Sequence, residues 1–429
     1  MSRFPSGSDL VSFLRSDRES FATKDYSTLS NEQFLFILNA FSGVAPYSHE
    51  FVAVSQDTQV LSGLISALTS FMQEITGTRR THWKTEYGSD TTLIVEEGEW
   101  AMGVLVVKKE TSEARSKLRR IVREFEDSFA ILREADGFEG SAFRDFDQFV
   151  RRLFVADRLS NRAIILKGYD WRENFVHCES PRWSYNIKKL LTQIEDRMTL
   201  SSAMQLLEVS FEEITELISR ALWNRFIHVV FVPPDDDILM LSEESGSFLL
   251  DMQNPKKLRL DTLKVIGSLN NRTKLIHILR KLKLDSSETL MIELGLLTNG
   301  GYIQRVTLER KLVLVNECIL TMMLKRASNL LDAKSIRNYF NLAIERTVAQ
   351  IPWATRIECS RGFKITCRLE EALEIRNLLQ LSDALESIQK DLANQVSQKL
   401  GSATAERISK EAMTSCLEVW SSSFEDLVV

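Results

Sequence analysis

The stretch VLSGLISALTSFMQEI, residues 60–75, and the run that follows it to Phe129 decide the fold of this 429-residue chain. Val60, Leu61, Leu64, Ile65, Leu68, Phe71, Met72 and Ile75 recur at helical spacing. Small Gly63 and Ala67 lie among them, which would let the helix approach a sheet closely. Three strand-like runs follow at 79–86, 92–97 and 101–107, broken at Gly88-Ser89 and at Glu97-Gly98-Glu99. Thr111 and Ser112 open a second helix with Glu113 in its first turn. Its apolar line is Leu118, Ile121, Val122, Phe125 and Phe129, and Arg115, Lys117, Arg119, Arg120 and Arg123 are expected to face outward. Helix, three-stranded meander and helix describe a small binding fold rather than a catalytic one.

Upstream, residues 33–41 (QFLFILNAF) form a near-continuous apolar run suited to a buried central strand. A turn at 42–46 leads to a second strand at 47–54, and Asp57 or Thr58 can cap the helix that follows. Residues 1–32 read as a tail or a short helix around Leu10, Val11, Phe13 and Leu14. With one more helix at 143–154, the domain at 33–160 reads β-β-α-β-β-β-α-α. This order, with the phrases PYSHEF and SGLISALTSFMQE, resembles the archaeal longin/roadblock-like (profilin-like) proteins over about residues 33–155. In them a hairpin ends in such a Tyr-Ser-x-Glu-Phe phrase and a Ser-Gly-Leu helix follows. The resemblance implies a five-stranded sheet flanked by helices. It also implies roles in docking small GTPases, in dimerising, and as sensor modules in signal transduction.

Downstream, residues 161–182 read as a linker, and short helices follow at 185–195, 200–207 and 210–223. Ser210 and Glu213 form a capping box at the third. Two strand-like pieces, 227–232 and 237–241, flank Pro233-Pro234-Asp235-Asp236. Three helices and a β-wing make the winged-helix plan, so 183–250 is expected as a winged-helix-like domain. A second copy at 251–315 is read from helices at 258–268, 272–282 and 286–297 and strands at 302–308 and 312–315, although 312–331 also reads as one long helix. Residues 316–429 form an α-rich C-terminal domain with a β-hairpin around Arg361-Gly362 and two closing helices, the first broken near Ser382. The expected fold class is α+β multidomain.

Hydrophobic content of 44% and charged content of 26% are those of an ordinary globular chain of several domains. No run of eighteen apolar residues suggests a membrane span, and the N-terminal sequence lacks an export signal. Five scattered cysteines are expected to be reduced thiols in the cytoplasm, with Cys359 and Cys367 facing each other across the hairpin. Phosphate loops, His-Glu-x-x-His and Cys-x-x-Cys patterns and nucleophile elbows are all missing, so no enzyme activity, metal or cofactor is expected. Asp235-Asp236-Asp237 reads as a solvated loop rather than a cation site.

Binding is the remaining reading. Arg79, Arg80, Trp83 and Lys84 combine cations with an aromatic at a sheet edge, the composition of a protein-binding hot spot, against the alternative that Trp83 packs in the core. Lys256, Lys257, Arg259, Lys264, Arg272, Lys274, Arg280, Lys281 and Lys283 face a single acid, Asp261, giving that segment +8 within a chain of net charge −5. Such a segment suits an anionic partner. The candidate recognition helices are acidic, with Glu212, Glu213 and Glu216 in one and Asp285, Glu288 and Glu293 by the other, which disfavours a DNA groove. The expected function is a non-enzymatic adaptor or regulator that binds proteins, a small GTPase or a second copy of itself, through the longin-like domain. A DNA-binding transcription regulator with a longin-like sensor and a membrane-trafficking tether touching anionic lipid are the alternatives.

Overall fold

The apolar run at 33–41 becomes β1 (Glu32–Asn39), flanked on both sides by other strands. The computed structural model describes residues 30–52, 63, 82–86, 91–134, 143–168, 181–194, 197–242, 245–251, 254, 256–369 and 375–424. With β2 (Tyr47–Glu50), β3 (His82–Glu86), β4 (Thr92–Glu97) and β5 (Ala101–Val107), β1 builds an antiparallel sheet of order β2-β1-β5-β4-β3. Pairing sets Leu35 opposite Leu105 and Ile37 opposite Gly103. One face carries Leu35, Ile37, Ile94 and Leu105, and the other Phe36, Leu38, Val95 and Val104, all buried. Burial of both faces explains why β1 shows no polar alternation.

Helix α1 (Ser112–Ser128) packs Leu118, Ile121, Val122 and Phe125 on the first face, and its N-cap Thr111 accepts a hydrogen bond from the amide of Ala114. The close approach is made at Gly103, where a Cβ would lie 2.5 Å from Val122 and 2.8 Å from Leu118. Gly63, expected to serve that purpose, is exposed and a Cβ there would meet nothing within 4 Å. The rest of the expected helix at 60–75 lies outside the described residues. Two of the basic residues expected to face outward do not. Lys117 is buried against Glu113, and Arg115 is held by Glu96 and Glu110, because the first turns of α1 are covered by other parts of the chain. Helix α2 (Arg144–Phe154) closes this layer, with Tyr47, Phe125, Phe129, Phe143 and Phe146 meeting edge to face.

Beyond α2, two similar units follow. The first comprises β6 (Ile164–Lys167), α3 (Pro181–Gln193), β7 (Met198–Thr199), α4 (Leu200–Leu207), α5 (Phe211–Trp223) and β8 (Ile227–Val230). The second comprises β9 (Leu239–Leu241), α6 (Ser245–Leu249), α7 (Leu260–Ile266), α8 (Leu275–Leu282), α9 (Glu288–Asn299) and β10 (Ile303–Arg305). In the first, the strand that precedes the helices occupies the middle of a three-stranded sheet; in the second it is one of a pair. β6 lies between β7 and β8, and β9 pairs with β10 while neighbouring Ile238 bridges Lys274 just before α8. Counting the last three helices of each unit, the second ends on a left-handed residue, Glu208 at φ 56° and Lys283 at φ 55°, and the third opens on a serine N-cap.

The expected wing therefore does not form: β8 and β9 belong to different sheets. Pro233 and Pro234 between them have no N–H to donate and a fixed φ, so a tight hairpin cannot close there. Residues 164–167, read as part of a linker, are the middle strand of a sheet. One apolar cluster runs from Leu35 to Phe231, so the five-stranded sheet and the first three-helix unit share a core.

Compactness divides the chain into Met1–Arg305 and Val306–Val429. The second part holds α10 (Leu308–Ser328), α11 (Ala333–Gln350), the hairpin of β11 (Ile357–Cys359) and β12 (Ile365–Cys367), α12 (Ile375–Leu400) and α13 (Ser402–Phe424). Residues 312–315 are helical, as the single-helix reading has it. Helix α12 does not break at Ser382, whose buried hydroxyl accepts a hydrogen bond from Asn316 of α10 at 2.9 Å. Cys359 lies opposite Ile365 and Cys367 opposite Ile357, so the two thiols do not face each other. Among the described residues no helix is long and apolar enough to cross a membrane.

Candidate functional site

Of the residues expected at the protein-binding edge, Arg79 and Arg80 lie outside the described residues. Trp83 packs against the second face of the five-stranded sheet, with its indole Nε1 buried and without a hydrogen-bond partner. Lys84 pairs with Glu110 at 2.9 Å, and Glu110 also meets Arg115. Burial pushes the Glu110 carboxyl up, but the two cations outweigh it and hold it below the usual carboxylate range.

The basic segment is divided among different tasks. Lys256 sits 5.7 Å from the centre of the Phe248 ring and 4.9 Å from that of Tyr302, and Lys109 stands 4.8 Å from the same tyrosine. Arg259 approaches Glu293 at 3.6 Å, and Lys257 is exposed on a left-handed backbone at φ 50°. Arg272 and Lys274 precede α8, while Arg280, Lys281 and Lys283 are exposed at its C-terminal end, where cations complement the helix dipole.

Of the helices that would read a DNA groove, α9 is used inside the protein and α5 keeps an exposed acidic face. In α9 every residue from Leu290 to Asn299 is buried. Glu293 accepts hydrogen bonds from the Thr262 hydroxyl at 2.5 Å and the Arg259 amide at 3.2 Å. The Asn299 side chain donates to the Val229 carbonyl and accepts from the Phe231 amide, both at 2.9 Å, and so joins the two three-helix units. Glu216 of α5 is bound by Arg151 of α2 and by Arg220.

A buried charge cluster, invisible in the sequence, ties the second unit to the five-stranded domain. Glu113 at the start of α1 binds Lys117 at 2.6 Å and accepts from the Arg305 amide at 3.2 Å, while its own amide donates to the Gln304 side chain at 3.0 Å. Arg158 meets Glu32 at 3.1 Å and lies 4.3 Å from the Phe231 ring, and Arg305 meets Asp237 at 2.9 Å. Burial alone would raise the Glu113 pKa; Lys117, Arg158 and Arg305 bring it down to about 2. The Lys117 pKa is also lowered, by burial and by Arg158, which for an ammonium disfavours the charged form. Asp237 is thus buried and Asp235 is held by Arg162 at 2.7 Å, so that acidic run is not simply solvated.

Beside this cluster lies a cavity of about 60 Å³ lined by Glu32, His49, Phe51, Arg158, Trp223 and Asn299, enough for a few waters. His49 stacks on Trp223 at 3.4 Å, and burial together with Arg225 lowers its pKa to about 3. The imidazole of His49 is thus held neutral and packs between Trp223 and Phe51. Among the described residues no group of acids, histidines and cysteines is arranged to hold a metal. No protein-family model matches the sequence, and no curated protein matches it significantly.

Proposed function

We propose that this chain is a non-enzymatic cytoplasmic adaptor or regulator that binds partner proteins, with small GTPases as the partner class, through its longin/roadblock-like sheet domain. The observation that carries this reading is the burial of α9 from Leu290 to Asn299, which turns an expected recognition helix into part of a core. Insertion of that helix into a major groove would require the second unit to open, and α5 presents carboxylates that phosphates repel. The three-helix units then serve as scaffold: Asn299 joins them and the Glu113–Arg305 contact fixes the second to the sheet domain.

The test is affinity capture from native extract with the full chain, followed by reassembly of each captured pair from purified components. Reassembly of a defined complex with a GTPase, sensitive to its bound nucleotide, supports the reading. Sequence-specific duplex binding that survives excess competitor, with no protein complex, sinks it.

A further inference from the structure

We propose that the end of α6, the start of α7 and the described residues of the loop between them, from Phe248 to Leu260, form a peripheral contact for an anionic bilayer surface. This short stretch exposes three large apolar side chains, Phe248 at 40%, Leu250 at 46% and Leu260 at 67%. Single exposed apolar residues are ordinary, but here cations surround them. Lys256, Lys257 and Arg259 belong to the same loop, and Lys109 reaches Tyr302, which stacks on Phe248 at 5.7 Å. Three acids stand nearby, Asp251, Asp261 and Glu293; Asp261 is paired with Lys264 at 3.0 Å and the buried Glu293 with Arg259 at 3.6 Å, which leaves Lys256, Lys257 and Lys109 as the main cations of the display.

The loop is built to hold this display. Asn254 clamps it, accepting from the Leu258 amide and donating to the Leu258 carbonyl, both at 2.8 Å. Leu249 and Leu258 anchor its two ends in the core of the second unit. Asn254 and Lys257 both take left-handed backbone conformations, which lysine rarely adopts. Phe248 and Tyr302 keep Lys256 and Lys109 beside the apolar tips rather than spread into solvent.

Charge and shape together select the partner. An anionic bilayer takes apolar tips into its interface and cations at its headgroups at the same time. A nucleic acid backbone would use the cations and leave Leu250 and Leu260 in water. From Lys264 to Lys283 the chain itself carries basic residues and no acid, which adds to the positive charge of this part.

The test is co-sedimentation of the full chain with vesicles of phosphatidylcholine alone or mixed with phosphatidylserine, across a salt series, beside a duplex oligonucleotide. Binding is expected only with phosphatidylserine. Lys109→Glu and Lys257→Glu should each weaken it by about fivefold or more at low salt. Leu260→Ser, at a position already in water, should weaken it by roughly tenfold and keep that effect at high salt. Unchanged far-ultraviolet circular dichroism and unfolding midpoints show that the variants are folded. Equal binding to both vesicle types, binding indifferent to these variants, or duplex binding without vesicle binding would each overturn the proposal. The protein-partner reading is scored without lipid, so either can fail while the other stands.

Discussion

Glu113→Gln keeps the size and hydrogen-bonding shape of the side chain and removes its charge, leaving Lys117, Arg158 and Arg305 with less compensation. The gap between about 2 and the ordinary 4.5 corresponds to about 3 kcal/mol of preference for the charged form. That agrees with the roughly 3–5 kcal/mol lost when one partner of a buried pair is removed. The side chain of Glu113 is 14% exposed, so solvent screening reduces this little. Chemical denaturation of the full chain near neutral pH should therefore show the transition of the 1–305 part destabilised by about 3 kcal/mol. The folded-state pKa is depressed, so the wild-type advantage is complete above 4.5 and disappears as pH falls toward about 2. Other carboxylates titrate in the same window, and the difference between wild type and variant isolates this one. Adding Lys117→Met to the variant should recover part of the loss, since it removes a buried ammonium that has lost its partner. A variant within about 0.5 kcal/mol of wild type, or a difference that does not change with pH, would refute the reasoning.

Gly103→Ala should lower stability by about 1–3 kcal/mol in thermal unfolding, because its Cβ would press on Val122 at 2.5 Å and Leu118 at 2.8 Å. An excised 33–160 fragment should show no cooperative unfolding transition, since Phe154 and Val155 share a core with Ile165, Ile187 and Leu190. Cys318 should be alkylated with a midpoint near about pH 7, because hydrogen bonds from Cys416 and Trp420 favour its thiolate. Cys416→Ala should return that midpoint toward 9.0, and Cys359, raised by burial, should react only at more alkaline pH.

What the sequence revealed followed from how local each signal was. β4 and β5 lie where the apolar runs and Gly98 put them, and the Ser210–Glu213 capping box is formed as read. Pairing was another matter: nothing near 227–241 says that β8 would join a strand sixty residues upstream, and the two prolines were read as a wing tip rather than a crossing. Lys117 reads as a surface residue in the sequence, because Glu113, its partner on the same helix, shows there only as an acid in the first turn. Arg158 and Arg305 carried no pattern at all. Their role depends on Glu32 and Asp237, far off in the chain.

The first and last strands of each three-helix unit are direct neighbours. Ile164 at the entrance is the partner of Val230 at the exit, and Leu239 of Arg305. A piece of chain whose two ends meet can be copied in line or looped into a host without dragging apart what stands on either side. Only the short crossing from Val230 to Leu239 separates one such cassette from the next. Tandem repetition of this piece needs no new architecture, and its loops, Phe248–Leu260 among them, are free to diverge while the frame is kept.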